Sequence, residues 1–182
     1  MTRMVRTFPL LTSLALSASL LTACAIAMGP PRTTGEALAV ALFDAEGRAV
    51  GNVTLTADSA GLDLVFDVYR LTPGPHGVHI HKVGRCQRPD FLSAGEHLDD
   101  GAHRHGRLDP AGWHLGDLPN LMVGRDGTAR TTLRLRSRTR SFSLRDILDR
   151  DDATIIIHAA PDDEHTDPSG NSGPRIACGI VA

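Results

Sequence analysis

Six histidines and one aspartate have the types and the spacing needed to hold two metal ions side by side. They are His79, His81, His97, His105, His114, Asp117 and His158. Imidazole and carboxylate groups are common protein ligands of zinc, and a set made only of imidazoles suits copper at least as well. The sequence therefore predicts a dinuclear metal centre.

The first cluster needs a strand to position it. In Val78-His79-Ile80-His81, apolar residues alternate with imidazoles, and strand side chains point to opposite faces with a period of two. Val78 and Ile80 are expected to face a packed core, with His79 and His81 together on the other face. His158 follows an apolar run at 155–157, so it is expected at a strand end, where it could supply a third imidazole.

The second cluster lies in loop sequence. Glycine and proline recur between His97 and Asp117 and exclude long regular elements there. Three imidazoles and a carboxylate suit tetrahedral zinc. A zinc hydrolase needs an open zinc position and a nearby general base. This set is closed and has no spare carboxylate at motif spacing, so hydrolysis is the weaker interpretation.

The elements that must position these residues are predicted to be strands. β-rich runs occur near 36–43, 49–57, 61–70, 76–81, 127–136, 153–158 and 175–181, and turn residues such as those at 44–47 separate most of them. One short capped helix is expected at 143–148. The predicted fold is all-β: a Greek-key β-sandwich or flattened barrel of about eight antiparallel strands with long metal-binding loops.

Several segments together resemble the copper/zinc superoxide dismutases of bacterial envelopes. They are residues 77–81, Cys86, 93–97, 105–106, 112–119, 157–158 and 173–179. The resemblance covers most of the chain that follows the leader. It implies that His79, His81, His97 and His158 bind copper, and that His97, His105, His114 and Asp117 bind zinc.

The resemblance also implies roles for single residues. His97 would bridge both ions as an imidazolate and act in catalysis, together with Arg175 as the substrate-guiding cation. Asp162 would link a copper histidine to a zinc histidine and fix their tautomers. Cys86 and Cys178 occupy the positions of the family's intrasubunit disulfide.

The implied activity is superoxide dismutation by copper redox cycling, which would protect the cell envelope. The alternative is a protein that stores or buffers copper and zinc with little turnover. The loop from His158 to Arg175 is short and carries Asp163, Glu164 and Asp167 besides Asp162. Because negative side chains repel an anion, the sequence does not decide whether this loop guides an anionic substrate.

The N-terminus has the pattern of a secretory leader. Arg3 and Arg6 precede an apolar stretch at 8–21, and Leu21-Thr22-Ala23-Cys24 resembles a lipoprotein box. We therefore expect a signal peptide at 1–23, a lipidated Cys24 that anchors a linker at 24–35, and the dismutase domain at 36–182. The alternatives are an ordinary secretory peptide cut near Ala25 and a cysteine that stands at position 24 by chance. Both a lipoprotein leader and an ordinary secretory peptide predict an extracytoplasmic location, and lipidation adds a membrane anchor.

Composition excludes one class of partner. The chain carries 19 lysines and arginines against 21 acids, so no large basic surface argues for nucleic acid. The arginines between 130 and 140 are interpreted as a solvated strand face. His76, His103 and His165 match no ligand: His76 is expected at a strand entry and the other two in solvent. The sequence leaves monomer and homodimer both open.

Overall fold

The strands arise from apolar residues that alternate along the chain. In β1, Ala37–Asp44, Val40 and Leu42 are buried while Ala39 and Ala41 are exposed. β3, Gly61–Val68, repeats this pattern, with Leu64 buried inside it. Pairing such strands places all the inward side chains in one aliphatic core.

The computed structural model describes residues 37–58, 61–99, 101, 103–111, 113–135, 144–148 and 151–182. The strands in these ranges are β1, β2 Ala49–Asp58, β3, β4 Gly74–His76, β5 Val78–His81, β6 Leu121–Val123, β7 Ala129–Leu135, β8 Ala153–His158 and β9 Arg175–Val181. Two short 3-10 helices span Leu92–Ala94 and Leu144–Asp146. None of the described helices is long and apolar enough to cross a membrane. The predicted signal peptide, linker and Cys24 lie outside the described residues.

A curled antiparallel sheet carries the fold. Seven strands are ordered β5-β8-β9-β1-β2-β3-β7, and β4 pairs separately with β6. All the strand pairs are antiparallel. The all-β prediction is confirmed, with nine strands in the described ranges where about eight were expected.

Three elements differ from the sequence-based expectation. The run predicted as one strand at 76–81 is two strands in two different sheets. Between them, the Gly77 amide donates to the carbonyl of Ala160, and the Gly77 carbonyl accepts from the amide of His158. β6 was not predicted, since three residues are too few to show a period. The expected helix at 143–148 is a single 3-10 turn over Leu144–Asp146, and Ser143 lies outside the described residues.

The strand that carries His79 and His81 is covered on both faces. Val78 and Ile80 belong to the main core, as predicted. The two histidines lie on the opposite face, yet they too are fully buried. Loops that follow β5 pack over them, and this coverage is what makes an enclosed site.

Candidate metal centre

Backbone pairing brings the two predicted clusters together. β5 pairs with β8 so that His79 lies opposite Ile156, and β8 ends at His158. The loop after β5 returns onto it through isolated bridges between His81 and His97 and between His79 and Asp117. Strand-borne and loop-borne histidines therefore share one buried space.

Four histidines form the first group. The possible ligand atoms of His79, His81, His97 and His158 all lie within 4.8 Å of one another. The ring centroids of His79 and His97 are 4.0 Å apart, and those of His81 and His97 are 4.8 Å apart. This group has the same members as the set predicted for copper.

The second group gathers around one oxygen of Asp117. Its Oδ1 lies 2.8 Å from Nδ1 of His97, 3.2 Å from Nδ1 of His105 and 3.5 Å from Nδ1 of His114. The possible ligand atoms of His79, His97, His105 and Asp117 lie within 4.8 Å of one another, and this group does not include His114. His97 belongs to both groups.

Buried imidazole nitrogens without hydrogen-bond partners indicate whether these residues could bind metal ions. Side-chain atoms that are buried without a hydrogen-bond partner include His79 Nδ1, His81 Nε2, His97 Nε2, His105 Nδ1, His114 Nδ1 and His158 Nε2. Buried polar atoms without partners are costly and rare in native proteins. Six of them converging in one place is the donor set that bound metal ions would satisfy, and the residues present fit copper and zinc.

The other ring nitrogens are held in place. His81 Nδ1 lies 3.0 Å from the carbonyl oxygen of Gly95, and His158 Nδ1 lies 3.0 Å from that of Gly173. Since a carbonyl oxygen can only accept, each Nδ1 donates and the lone pair stays on Nε2. The fold thus orients these lone pairs toward the shared space.

Asp162 connects the two groups. Its Oδ2 accepts from His79 Nε2 at 2.7 Å, and its Oδ1 accepts from His105 Nε2 at 2.9 Å. Asn120 holds the backbone of Asp162 on both sides, donating to its carbonyl at 2.9 Å and accepting from its amide at 2.8 Å. Sequence reasoning missed Asn120; its place directly after the segment ending at Pro119 was the available signal.

Burial governs protonation in the first group. It lowers the pKa of His79 to about 3 and that of His158 to about 4. Burial also lowers the pKa of His81 and of His97. All four imidazoles are therefore neutral near pH 7, the form in which a metal is bound.

Carboxylates govern protonation in the second group. Burial opposes charge on His105, but the contacts with Asp117 and Asp162 outweigh it and raise the pKa of this imidazole to about 9. His114 is shifted upward in the same way, by Asp117. Burial raises the pKa of Asp117 and Asp162, yet the histidine contacts dominate and hold both well below the usual range.

Arg175 lies in the wall of a cavity that opens onto the first group. The cavity has a volume of about 540 Å³ and is lined by His81, His97 and His158, among others. The guanidinium donates to the carbonyl oxygens of Phe91 at 2.8 Å and of Gly95 at 2.7 Å. Its charge is thereby fixed beside the histidines.

The acidic side chains of the loop between β8 and β9 are engaged in other contacts. Asp163 bonds to residues of its own loop, Glu164 pairs with Arg107 and Asp167 pairs with Arg104. The part of this loop that lines the cavity consists of Pro168, Ser169 and Gly173. Glu164 and Asp167 therefore tie this loop to the loop that carries Arg104 and Arg107. Asp163, Glu164 and Asp167 do not line the cavity over the histidines.

Cys86 and Cys178 are joined by a disulfide. Cys178 lies in β9 and Cys86 in the loop after β5, so the bond ties that loop to the strand that begins at Arg175. Phe91 and Ala94 of the loop pack against Cys178. The same segment supplies the carbonyls that hold Arg175.

The three unassigned histidines have different positions. His76 is buried at the end of β4, with Nδ1 2.7 Å from the carbonyl oxygen of His158 and Nε2 2.8 Å from that of Thr72. It therefore braces the strand end of His158 in addition to standing at the strand entry. His103 and His165 are exposed, as predicted.

Comparison with known proteins identifies similar chains. Residues 49–181 match the family described as copper/zinc superoxide dismutase. The superoxide dismutase-like protein YojM of Bacillus subtilis is 43% identical over 145 residues, which cover 78% of this chain and 74% of that protein. A Cu-Zn superoxide dismutase of Caulobacter vibrioides is 40% identical over 139 residues, covering 75% and 80% respectively.

Solved structures agree with the sequence matches. A superoxide dismutase-like protein from Bacillus subtilis superposes with a TM-score of 0.72 at 40% identity, over 79% of this chain and 97% of that one. The Cu/Zn superoxide dismutase from Brucella abortus gives a TM-score of 0.66 at 28% identity, over 81% of this chain and 100% of that one.

Proposed function

The chain belongs to the copper/zinc superoxide dismutase family, and on that premise we propose that it converts superoxide to dioxygen and hydrogen peroxide by copper redox cycling. The family makes it an oxidoreductase with copper and zinc as cofactors.

One observation carries the proposal: six buried imidazole nitrogens without partners converge in one space. In the proposed arrangement, copper is held by His79, His81, His97 and His158. Zinc is held by His97, His105, His114 and Asp117. The distances of 2.8–3.5 Å around Asp117 Oδ1 support the zinc assignment.

When bound, copper supplies a one-electron redox couple, and zinc orients the imidazole of His97. Reduction of superoxide to hydrogen peroxide consumes two protons. His97 belongs to both groups and its Nε2 is buried and unpartnered, so this atom can carry one of them. Burial lowers the pKa of His97, so a proton taken up there is readily given to the product.

Arg175 acts on the substrate by its charge. Superoxide is a small anion, and a fixed cation in a narrow cavity raises its local concentration and its rate of arrival. Arginine stays charged even when half-buried. The bonds to Phe91 and Gly95 keep the guanidinium from folding away.

We place the enzyme in the bacterial cell envelope, in the periplasmic or extracytoplasmic space. The proposed domain at 36–182 would follow the leader at 1–23 and the linker at 24–35, with a lipid on Cys24 as anchor. The leader pattern and the disulfide support this, because disulfides persist in oxidising compartments. Superoxide is the only substrate proposed, and the protein acts as a monomer or a homodimer without nucleic acid.

The second candidate function is copper and zinc binding with little turnover. The observation that favours it is that the Bacillus subtilis relative is named a superoxide dismutase-like protein. Against it, this chain has its own complete set of histidines, and Arg175 lies in the cavity wall beside them.

The deciding experiment measures superoxide consumption by the mature protein loaded with both metals. A His97→Ala protein, loaded and assayed identically, tests the bridging residue. His165→Ala, which changes an exposed histidine, is the matched control. Fast turnover that is lost only in His97→Ala supports the dismutase. If a folded protein with both metals bound consumes superoxide no faster than buffer does, the dismutase proposal is wrong. Copper and zinc binding is then the function that remains.

A further inference from the structure

One carboxylate outside both ligand groups binds the main chain of a proposed zinc ligand. Asp167 lies in the loop between β8 and β9, and its Oδ1 accepts from the backbone amide of His105 at 2.5 Å. Its Oδ2 accepts from Nε of Arg104 at 3.0 Å. Asp167 belongs to neither group of possible ligand atoms, so its link to the metal centre runs through the backbone of His105.

The other contacts of His105 described above are made by its ring. Its Nε2 donates to Asp162 Oδ1 at 2.9 Å, and its Nδ1 lies 3.2 Å from Asp117 Oδ1. A histidine ring is joined to the main chain by two rotatable bonds, so ring contacts alone allow more than one placement of the backbone. Asp167 adds a contact that fixes the main chain at this residue.

The two loops also meet beyond His105. A Cβ on Gly106 would lie 2.0 Å from the carbonyl oxygen of Glu164, so the two backbones are in direct contact there. Arg107 Nη1 lies 3.3 Å from Glu164 Oε1. Residues 104–107 therefore run against residues 164–167, and His105 lies inside this contact.

We propose that Asp167 is a positioning residue for zinc: it holds the backbone of His105 where the ring reaches the shared space, and Arg104 keeps the carboxylate in place. The inference rests on the proposed assignment of His105 to zinc. It adds an anchor on the main chain to the anchor that Asp162 provides on the ring. Zinc affinity then depends on a side chain that touches no ligand atom.

The two oxygens of Asp167 have separable roles. The His105 amide needs one acceptor oxygen, which asparagine also offers, whereas the contact with Arg104 gains strength from the negative charge. Asp167→Ala removes both contacts, Asp167→Asn keeps one acceptor, and Arg104→Gln removes the guanidinium alone. The side chains of Arg104 and Asp167 are 68% and 44% exposed. Such a pair contributes little to folding stability, so the variants are expected to fold.

The first measurement is the zinc affinity of the mature protein, by competition with a coloured chelator, in the parent and these three variants. We expect zinc binding to be about tenfold weaker in Asp167→Ala, as is typical when an outer partner of a ligand is lost. Asp167→Asn should recover most of this loss and lie within about threefold of the parent. Arg104→Gln should lie between the parent and Asp167→Ala.

Two further readouts distinguish positioning of His105 from general loop order. Cobalt bound in place of zinc has visible absorption bands that depend on ligand geometry, and these should change in Asp167→Ala and return in Asp167→Asn. In the zinc-free protein, the His105 amide should exchange with deuterium about tenfold faster in Asp167→Ala than in the parent.

The matched control is Asp109→Ala. Asp109 Oδ2 also lies near Arg104, 4.0 Å from Nε, but Asp109 Oδ1 accepts from the amide of Ala111, which is not a proposed ligand. The proposal is overturned if Asp167→Ala binds zinc as tightly as the parent, or if Asp109→Ala loses as much affinity as Asp167→Ala. An unchanged cobalt spectrum in Asp167→Ala would reject it as well.

None of these measurements uses superoxide. A parent protein that binds zinc with the expected order among the variants, yet consumes no superoxide, would refute the dismutase proposal and support the role of Asp167. A parent protein that binds no zinc would reject the zinc assignment and this inference together.

Discussion

His81 and Arg175 share one hydrogen-bond acceptor, the carbonyl oxygen of Gly95. His81 Nδ1 lies 3.0 Å from this oxygen, and Arg175 Nη2 donates to it at 2.7 Å. One backbone group therefore fixes the tautomer of a proposed copper ligand and the position of the proposed guiding cation. The His81 ring and the Arg175 guanidinium therefore cannot move apart without breaking one of these two hydrogen bonds.

Replacing Arg175 by lysine should lower the rate although the charge is kept. A guanidinium reaches the Phe91 and Gly95 carbonyls together, while an ammonium on a flexible stem does not hold that position. We expect the rate constant for superoxide to fall by about tenfold in Arg175→Gln and by a smaller factor in Arg175→Lys. Copper content should be unchanged in both, measured by metal analysis of the purified proteins.

The control is Arg130→Lys, which changes an exposed arginine in β7. It should match the parent at every ionic strength. An Arg175→Lys protein as fast as the parent would show that charge alone matters and that the bonds to the two carbonyls do not.

Removing one oxygen of Asp162 should weaken zinc binding. In Asp162→Asn only one side-chain oxygen remains to accept, while His79 and His105 both donate to this group. Loss of such an outer partner typically costs 10–100-fold in metal affinity, so we expect a loss on the order of 10-fold or more. Competition with a coloured chelator measures it.

Asp163→Asn provides the comparison, since Asp163 is adjacent but bonds to Thr166 and Asn171 of its own loop. Its zinc affinity should stay within about twofold of the parent, because its contacts do not reach a proposed ligand. Equal losses in both variants would mean that loop order, and not the link between the histidines, controls zinc.

Residue types and alternation were enough to predict the fold class and most strands. The buried positions of β1 and β3 follow period two, and the predicted bounds agree within two residues. The period carries no information where the chain passes from one sheet to another, as at Gly77, or where the strand is as short as Leu121–Val123. Those features are set by pairing with distant segments, Ala160 and β4.

The site was predictable in its side chains but not in its supports. Spacing singled out the seven candidate ligands, and the resemblance added Asp162. The carbonyls of Gly95 and Gly173 were missed, because backbone acceptors have no signature in residue type. The side chain of Asn120 was missed although it directly follows the segment that ends at Pro119. The burial of His79 and His81 was also unexpected, because the loops that cover them show no hydrophobic periodicity from which their packing could be predicted.

Breaking the disulfide should lower both the free energy of unfolding and the rate at which superoxide is consumed. Cys86 and Cys178 are 92 residues apart, and closing a loop of that length stabilises by up to about 4–5 kcal/mol in the loop-entropy model. In a Cys86→Ala/Cys178→Ala protein we expect the free energy of unfolding in urea to fall by about 2–4 kcal/mol. The rate should fall as well, because the freed loop carries the acceptors of Arg175. A variant with unchanged stability would show that packing of Phe91 and Ala94 against β9 suffices.

The metal-free protein should be most stable near pH 6.5, where the histidine shifts of the two groups oppose each other. His79 and His158 have pKa values of about 3 and about 4 in the fold, against 6.5 for an ordinary histidine. As pH falls below 6.5, the unfolded chain binds protons at these positions and the folded protein does not, so stability is lost down to about pH 4. His105, with a pKa of about 9, has the opposite sign. Its contribution is full below pH 6.5 and is lost as pH rises to about 9.

Urea unfolding of the metal-free protein between pH 4 and pH 10 measures both limbs. In His105→Gln the decline on the alkaline side should shrink while the acid limb remains; His165→Gln, which changes an exposed histidine, is the matched control. Zinc uptake should release protons at pH 7–8, because His105 must lose its proton to bind a metal. Calorimetry in buffers of different ionisation enthalpy counts those protons. A flat stability profile, or zinc binding without proton release, would show that the carboxylates of Asp117 and Asp162 do not hold His105 in its charged form.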